Sequence, residues 1–400
     1  MCAINGFNFK DEGLIAKMNL TTCHRGPDGT GIFCNDGVSL GHNRLSIIDV
    51  SAAAAQPMKS GDGRFVIIFN GEIYNYRELK RELAGYPFKS ASDTEVILAA
   101  YERWGDDCAK KLNGMFAFAI WDKEKQELFL ARDPLGVKPL YYFWDGKKFL
   151  FSSEIKAILE CAVPRILNRE AFHYYVHALY VPEPLTMFDG IHKFPAGSTA
   201  TLRGTTLAIK KYWQVPSEEK FSGGIEDAAK KLRAVVDSAV ERQLISDRPL
   251  GVYLSGGIDS SIVLDSVSRC RDTIDTFSVG FDLPETEERE KFNQDFYLAR
   301  RTAKHYNTHH HEVLLAADDA LAILEKSVWH LDEPIANPTT LSMFYLAQFA
   351  KKKVDVVLGG DGGDEVFGGY KRYQLSRIAS YYQKIMPMTF RRFLVGYNKR

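Results

Sequence analysis

The chain has 400 residues, 45% hydrophobic and 26% charged, with 51 basic and 51 acidic side chains balancing to a formal net charge of zero. That length suggests two or more domains, and the balanced charge argues against a general nucleic-acid binder, so a charged ligand must be held by a local site. No apolar run approaches the roughly 18 residues of a membrane span, no basic-then-apolar leader is read, and six scattered cysteines without a C-x-x-C pair indicate neither disulfides nor zinc; a cytoplasmic setting is expected.

The chain opens Met1-Cys2-Ala3-Ile4-Asn5-Gly6-Phe7. If Met1 is removed, Cys2 carries a thiol and a free α-amine on one residue, which supplies a nucleophile with its own base. The amine has a reference pKa of about 7.7–8.0 and the thiol one of about 8.5, so proton transfer between them is feasible near neutrality. Phe65-Val66-Ile67-Ile68-Phe69 is a continuous apolar run read as a strand stopping on an Asn70-Gly71 turn. A helix is predicted from Ser92, with a capping box to Glu95. Met115–Trp121 and Leu128–Ala131 read as strands, and Tyr141–Trp144, Asp145-Gly146 and Phe149–Phe151 as a hairpin. This first half is an α+β region with two-sided burial.

The character changes through a linker near Tyr212–Gly224. Helices are then expected over Ile225–Leu244, from Asp259, and near Asn293–His305, Asp319–His330 and Thr339–Lys351. Strands are expected at Leu250–Leu254, Thr273–Val279 and Val354–Leu358. Such alternation implies a parallel sheet covered on both faces, with ligands at the carboxyl ends of its strands. Glu285–Lys291 reads as a mobile solvated loop, and His309-His310-His311 as packing, since neighbours in one strand alternate faces. Residues 371–400 read as amphipathic helix without a finishing cap, so the protein is expected to continue beyond Arg400.

Four strings accompany Cys2: His24-Arg25-Gly26-Pro27-Asp28-Gly29, Arg44 to Asp49, Asn70-Gly71-Glu72-Ile73-Tyr74-Asn75 and Ser92-Asp93-Thr94-Glu95. They supply what hydrolysis of a free amino-acid amide requires. Thiolate attack on a carboxamide builds an oxyanion, for which the Asn70 amide and the Gly71 N–H are suitable donors. A guanidinium (Arg44) suits an α-carboxylate and a carboxylate (Asp93) an α-ammonium. Each part has a plainer reading: a turn, a solvated arginine, a helix-start acid. Together they resemble the glutaminase domain of the N-terminal-nucleophile amidotransferases, a match that extends to Arg132–Leu140 and Ser152-Ser153-Glu154. The resemblance implies Cys2 as nucleophile, Asn70 and Gly71 as oxyanion hole, and Arg44, Glu72, Asp93 and the main chain of Leu45, Ser46, Ile47 and Ile48 as glutamine contacts.

Leu254-Ser255-Gly256-Gly257-Ile258-Asp259-Ser260-Ser261 follows an apolar strand and opens a helix. Glycines admit backbone N–H groups to a polyphosphate, and the helix N-terminus favours negative charge. Asp259 makes sense in such a loop if it holds Mg²⁺. A plain strand–helix turn is the competing reading. The string lacks the Gly-Lys-Ser/Thr of the Walker pattern and is similar to the pyrophosphate loop of ATP pyrophosphatases. A second loop, Gly359-Gly360-Asp361-Gly362-Gly363-Asp364-Glu365, follows Leu358. The pair looks like the synthetase domain of glutamine-hydrolysing asparagine synthetases. That resemblance implies Leu254, Ser255, Gly256, Gly257, Asp259, Ser260, Val279, Gly359 and Gly360 as the ATP site, and Asp259 and Asp364 as Mg²⁺ ligands. Asp361 stands where well-known members carry a Glu that helps form the β-aspartyl adenylate. Asp332-Glu333-Pro334 recurs in the family, and its acids are assigned to the acceptor site.

The resemblance therefore implies an N-terminal-nucleophile-hydrolase-like αββα sandwich over residues 2–210 and an adenine-nucleotide α-hydrolase-like parallel-sheet domain over 222–400. The activity implied is ATP-dependent amidation of L-aspartate with ammonia from L-glutamine, a water-poor passage joining the two sites, and a homodimer as the common assembly. Two alternatives stay open: the same build amidating another carboxylate, such as a glycan or peptide precursor, and a non-catalytic relative that senses nitrogen or acts as a scaffold. Intact Cys2, Asn70 and Asp259 count against the latter.

Overall fold

A computed structural model describes residues 1–217, 220–285 and 287–386. In the first half two six-stranded sheets lie face to face. One runs in spatial order Ile191–Lys193, Tyr141–Trp144, Phe149–Ser152, Ala3–Phe7, Val38–Arg44 and Gly29–Asn35. The other runs Thr206–Lys211, Ser198–Arg203, Glu127–Arg132, Gly114–Asp122, Phe65–Ile73 and Met58–Lys59. Alternate residues of strand Phe65–Ile73 serve two cores, which explains its unbroken apolar run. Val66 and Ile68 pack between the sheets with Ile4, Leu40, Leu130 and Phe151. Phe65, Ile67 and Phe69 pack outward with Leu79, Ile97 and Tyr101 of helices Tyr76–Glu82 and Asp93–Trp104. On the opposite outer face Phe7 and Leu150 meet Ile15 and Ile158 of helices Glu12–Thr21 and Ile155–Leu159. Each such side chain contributes about 1.5–3 kcal/mol on burial. The layers are those of the expected αββα sandwich.

The second half holds a four-stranded parallel sheet in the order His309–Leu315, Asp275–Phe281, Leu250–Tyr253, Val356–Leu358. Leu264, Val267, Ala299 and Val240, from three helices, pack with Val252 and Leu358 on one face. Leu346 and Ala350 of helix Thr339–Ala350 pack with Phe277 on the other. Both faces are covered, as the alternation of elements predicts. Among the described residues between Lys211 and Ile225 there is neither helix nor strand.

Several local expectations are corrected. Asn70-Gly71 is no turn: the strand continues to Ile73, with Asn70 opposite Ala117 and Gly71 opposite Phe116. Glycine is needed there for close approach, because a Cβ on Gly71 would stand 2.2 Å from the Met115 carbonyl oxygen and 2.8 Å from Phe116 Cα. Ser92 does cap its helix by accepting from the Thr94 N–H. Glu95, however, turns to the amides of Lys89 and Ser90 rather than back to Ser92, so the capping box is half formed. Within Glu285–Lys291 a helix, Glu287–Phe292, begins. The strand expected at Thr273–Val279 is shifted two residues on, to Asp275–Phe281, where its amides pair with both neighbours. Helix Lys371–Ile385 forms, while the rest of the 371–400 segment lies outside the described residues.

The halves are clasped at the loop after Arg44. The Asp247 N–H donates to the Ile47 carbonyl at 2.9 Å, and the Asp49 N–H to Asp247 Oδ2 at 2.8 Å. Arg248 Nε donates to the Ser46 carbonyl at 3.0 Å.

Gly71→Ala is expected to destabilise the first domain by about 2 kcal/mol or more, since the central strand pair cannot move apart without losing its ladder. Urea unfolding checks this; a midpoint equal to that of the unsubstituted protein would show that the strand pair accommodates the methyl.

Candidate active sites

Antiparallel register sets Ala3 opposite Asn43, so the next residue outward, Cys2, comes beside Arg44 and Leu45. Its Sγ accepts from the Leu45 N–H at 3.3 Å and lies 3.5 Å from the Leu45 carbonyl. Arg25 Nε donates to the Cys2 carbonyl at 3.0 Å, and Arg25 Nη1 donates to Glu154 Oε1, also at 3.0 Å. Asp28 of the same string accepts from the Ser46 N–H at 2.8 Å and holds the loop that follows Arg44. The Arg44 guanidinium is tied to the carbonyls of Ser51 and Asp49.

One cavity joins these groups. Its volume is about 20 Å³, and Cys2, Arg44 to Ile48, Gly71, Glu72 and Asp93 line it, together with Ala54, Gln56, Phe69, Ser92 and Thr94. That is room for roughly one water, so an amino acid enters only if the walls or Met1 move. Asn70 is buried beside it, and among the described residues neither atom of its side-chain amide has a hydrogen-bond partner; the same is true of Glu72 Oε2. Such orphaned groups cost free energy unless a ligand meets them.

Electrostatics here are set by burial. Burial pushes the Asp93 carboxyl up to about 6, against hydrogen bonds from the Ile73 and Thr94 amides that favour its charged form. Burial and the neighbouring Asp93 charge raise Glu72 well above the ordinary range. Burial raises the Cys2 thiol, while the terminal ammonium, the Leu45 N–H and the Lys138 ammonium pull it down. Burial likewise holds the Met1 amine at about 5, with the Arg25 and Lys138 charges adding to the effect. Lys138 itself is 7% exposed, and its Nζ lies 3.5 Å from Met1 Sδ. Asp133 fixes it there by accepting the amides of Leu135, Val137 and Lys138. Sequence reasoning quoted Arg25 and Lys138 only inside longer strings and missed Gln56, whose Oε1 accepts from the Phe69 N–H at 2.7 Å. No local pattern around Gln56 marks it.

In the second domain the Ser255–Ser260 loop leaves strand Leu250–Tyr253 at its carboxyl end and enters helix Ile258–Ser268. Ser255 Oγ accepts from the Gly257 N–H at 3.2 Å and lies 3.0 Å from Ser260 Oγ. Gly256 has φ +72°, and a Cβ there would meet Ala299 N at 2.5 Å, so only glycine fits. The helix start has no side-chain cap, which leaves its N–H groups directed at the loop. The second glycine loop folds against the first: a Cβ on Gly360 would stand 2.7 Å from Ser260 N, and one on Gly363 2.5 Å from Asp259 Cγ. Asp364 turns towards Gly369 and Asp361 towards Gly359. Leu254 is buried below the loop. Val279 packs among Tyr253, Val313 and Phe349, two residues before the end of its strand. Among the described residues no three His, Cys, Asp or Glu side chains form a metal-holding group.

His310 and His311 behave as expected of packing residues: His310 bonds Thr276 and lies near Ser278, and His311 bonds Asp275. Asp332 and Glu333 are a correction. Neither reaches the glycine loops; both turn into the first domain, Asp332 to the Ile155 N–H and Lys156, Glu333 to the Met187 N–H and Lys193. Four donors there satisfy two buried carboxylates.

The glutamine amidotransferase domain family model matches residues 1–213, and the asparagine synthase model residues 231–399. Asparagine synthetase [glutamine-hydrolyzing] 1 of Bacillus subtilis is 39% identical over 371 residues, covering 91% of this chain and 56% of its own. A putative asparagine synthetase [glutamine-hydrolyzing] 2 of Methanocaldococcus jannaschii is 37% identical over 404 residues, covering 92% of this chain and 76% of its own. A putative counterpart in Mycobacterium tuberculosis is 37% identical and covers 90% of this chain and 57% of its own. The chain thus spans little more than half the length of the Bacillus and Mycobacterium relatives. No helix among the described residues is long and apolar enough to cross a membrane.

Lys138→Met removes a positive charge that lowers the Cys2 thiol pKa. The pH at which iodoacetamide alkylates Cys2 at half its maximal rate is expected to rise by about one unit. Peptide mass spectrometry across a pH series reads this, and an unshifted midpoint would show that the ammonium is screened from the sulphur.

Proposed function

We propose, since the chain belongs to the glutamine-hydrolysing asparagine synthetase family, that it frees ammonia from L-glutamine at Cys2 and transfers it to L-aspartate activated by ATP. The observation that carries the reading is the single cavity that gathers a sulphur, a guanidinium and two buried carboxylates beside an unpartnered amide. A free amino acid with a carboxamide side chain answers each of these groups. Its α-carboxylate pairs with Arg44, its α-ammonium with Asp93 and Glu72, and its amide carbonyl with Asn70 Nδ2 and the Gly71 N–H.

Removal of Met1 frees the Cys2 α-amine, which takes the thiol proton. The thiolate attacks the carboxamide carbon, and the oxyanion is held by Asn70 and Gly71, each donor worth about 2.7–4 kcal/mol. Collapse expels ammonia, with the α-ammonium returning its proton to the leaving nitrogen. Water then hydrolyses the thioester to glutamate, and the free thiol is regenerated. The scheme needs the Cys2 amine to be neutral at rest.

In the second domain the β-carboxylate of aspartate attacks the α-phosphorus of ATP, releasing pyrophosphate and leaving an acyl adenylate. Ammonia attacks the acyl carbon and AMP departs. The Ser255–Ser260 loop and Gly359–Gly360 offer N–H and hydroxyl donors to the phosphates. Asp259 and Asp364 would be the residues that hold Mg²⁺, which ordinarily takes one or two protein carboxylates together with substrate phosphates and water. Bound there, Mg²⁺ would neutralise phosphate charge. Asp361, one methylene shorter than the usual Glu, serves at the aspartate end. The expected setting is the cytoplasm and the expected assembly a homodimer.

Cys2→Ala is expected to abolish asparagine formation from glutamine and to spare formation from ammonium salts, measured as asparagine and pyrophosphate release. Loss of both would make the cysteine structural. Pyrophosphate release with another carboxylic acid and none with aspartate would reassign the acceptor.

Because Asp93 is protonated below about 6, the KM for glutamine is expected to rise as pH falls through that value. Asp93→Asn should raise KM by roughly ten- to a hundredfold, the worth of a charge-assisted hydrogen bond, and flatten this pH dependence. A variant that keeps the acid rise would assign it to another group.

A further inference from the structure

A continuous chain of buried charged groups runs from Cys2 into the second domain. Arg25 Nε donates to the Cys2 carbonyl at 3.0 Å, and Arg25 Nη1 to Glu154 Oε1 at 3.0 Å. His24 Nε2 lies 3.0 Å from the same oxygen. Glu154 Oε2 takes Lys156 Nζ at 2.6 Å, and Lys156 Nζ lies 2.9 Å from Asp332 Oδ1. Asp332 Oδ2 accepts the Ile155 N–H at 2.8 Å. The side chains of Glu154, Lys156 and Asp332 are 5%, 12% and 6% exposed, so the links are shielded from salt. Burial alone would raise Glu154, but His24, Arg25 and Lys156 outweigh it and hold it at about 2, ionised at any working pH.

The far end of this chain sits at a helix end of the second domain. Asp332 closes helix Ala317–Leu331 with φ 62°, a left-handed conformation uncommon outside glycine and asparagine. The next segment leads into helix Thr339–Ala350. Parallel strand Val356–Leu358 follows that helix, so the helix runs against the strands and its N-terminus lies towards their carboxyl ends. Those ends carry both glycine loops. The same stretch bears Trp329 and His330, which flank His24 at 4.9 and 4.7 Å between ring centroids.

We infer that Asp332 is a positioning residue that couples the nucleotide side of the second domain to the orientation of Cys2, acting through Lys156, Glu154 and Arg25. Movement of the 332–338 segment on filling of the second site is passed to the Cys2 main chain as a shift of ion-pair partners, and ammonia release then follows activation of the acceptor. The inference rests on the two-site reading proposed above. Asp332→Asn tests it, because the amide oxygen keeps the bond from the Ile155 N–H and only the charge facing Lys156 is lost. Docking of the halves is retained by the separate Asp247 and Arg248 contacts.

In the full protein, Asp332→Asn is expected to lower glutamine-dependent amide synthesis by about fivefold or more, within the usual range of coupling between sites. Ammonia-dependent synthesis should stay unchanged, and glutamate released per amide formed should rise from near one to several. Lys156→Met should give the same pattern, and the double variant no further loss, since both changes cut one link. An equal fall with both nitrogen sources, an unchanged glutamate-to-amide ratio, or multiplied losses in the double variant would each overturn the relay. An unsubstituted protein that releases glutamate yet forms no amide with ATP present would overturn the two-site reading and leave the relay nothing to couple.

Discussion

Burial of charge around Cys2 is the constraint on which the first domain turns. Taking a thiol, two carboxylates and a lysine out of water disfavours the charged form of each. A pocket in which only one sign was present would neutralise itself by proton uptake or loss. Here Lys138 opposes the effect of burial at Glu72 and Cys2 in part, whereas His24, Arg25 and Lys156 together outweigh it at Glu154. The backbone completes the balance: the Leu45 N–H meets the sulphur and the Ile73 N–H meets Asp93. Among the described residues, the Asn70 amide and one oxygen of Glu72 stay unpaired beside this cavity. The fold tolerates these costs where a ligand would remove them.

Strand geometry brings the groups together from distant parts of the chain. Cys2 and Arg44 are neighbours because strands Ala3–Phe7 and Val38–Arg44 are antiparallel and in register. Gly71 and Glu72 reach the same place because their strand runs on past the point where an Asn-Gly pair usually bends. Had the chain turned at Asn70, its amide would be solvated and Glu72 would lie outside the cavity. The missing Cβ of Gly71 is therefore a packing requirement of the sheet before it is a feature of the site.

Much of this was legible in the sequence, and what escaped has a physical reason. Periodicity and glycine placement located the parallel sheet and both glycine loops, because those loops are short, local and tied to strand ends. The αββα layering was read from the resemblance and not from pattern alone, since a strand buried on both faces, such as Phe65–Phe69, carries no alternation to read. Asn70-Gly71 misled because local turn chemistry was overridden by cross-strand pairing with Ala117 and Phe116. Asp332-Glu333 misled for the opposite reason: acids after a helix look solvent-facing or ligand-facing, and their partners Lys156 and Lys193 lie more than a hundred residues earlier. Gln56 acts through a hydrogen bond to a distant strand and Lys138 through burial, which no short string records.

The two sites handle charge in opposite ways, and that explains the shape of the contact between them. The Cys2 cavity is small, with room for about one water, so electrostatic effects among its titratable side chains grow as water is excluded. The glycine loops are open, with Ser255, Gly257 and Asp361 exposed, and offer backbone N–H groups that need no charge of their own to meet a polyanion. Small displacements of charged groups matter more in such a confined site than in an open backbone cradle. The relay inferred above acts at the confined end, where a rearranged ion pair alters the field at the sulphur. The junction is built accordingly: the loops after Arg44 and after Ser153 are held by carboxylates and an arginine from the second domain. The glycine loops, by contrast, are braced by each other and by elements of their own domain.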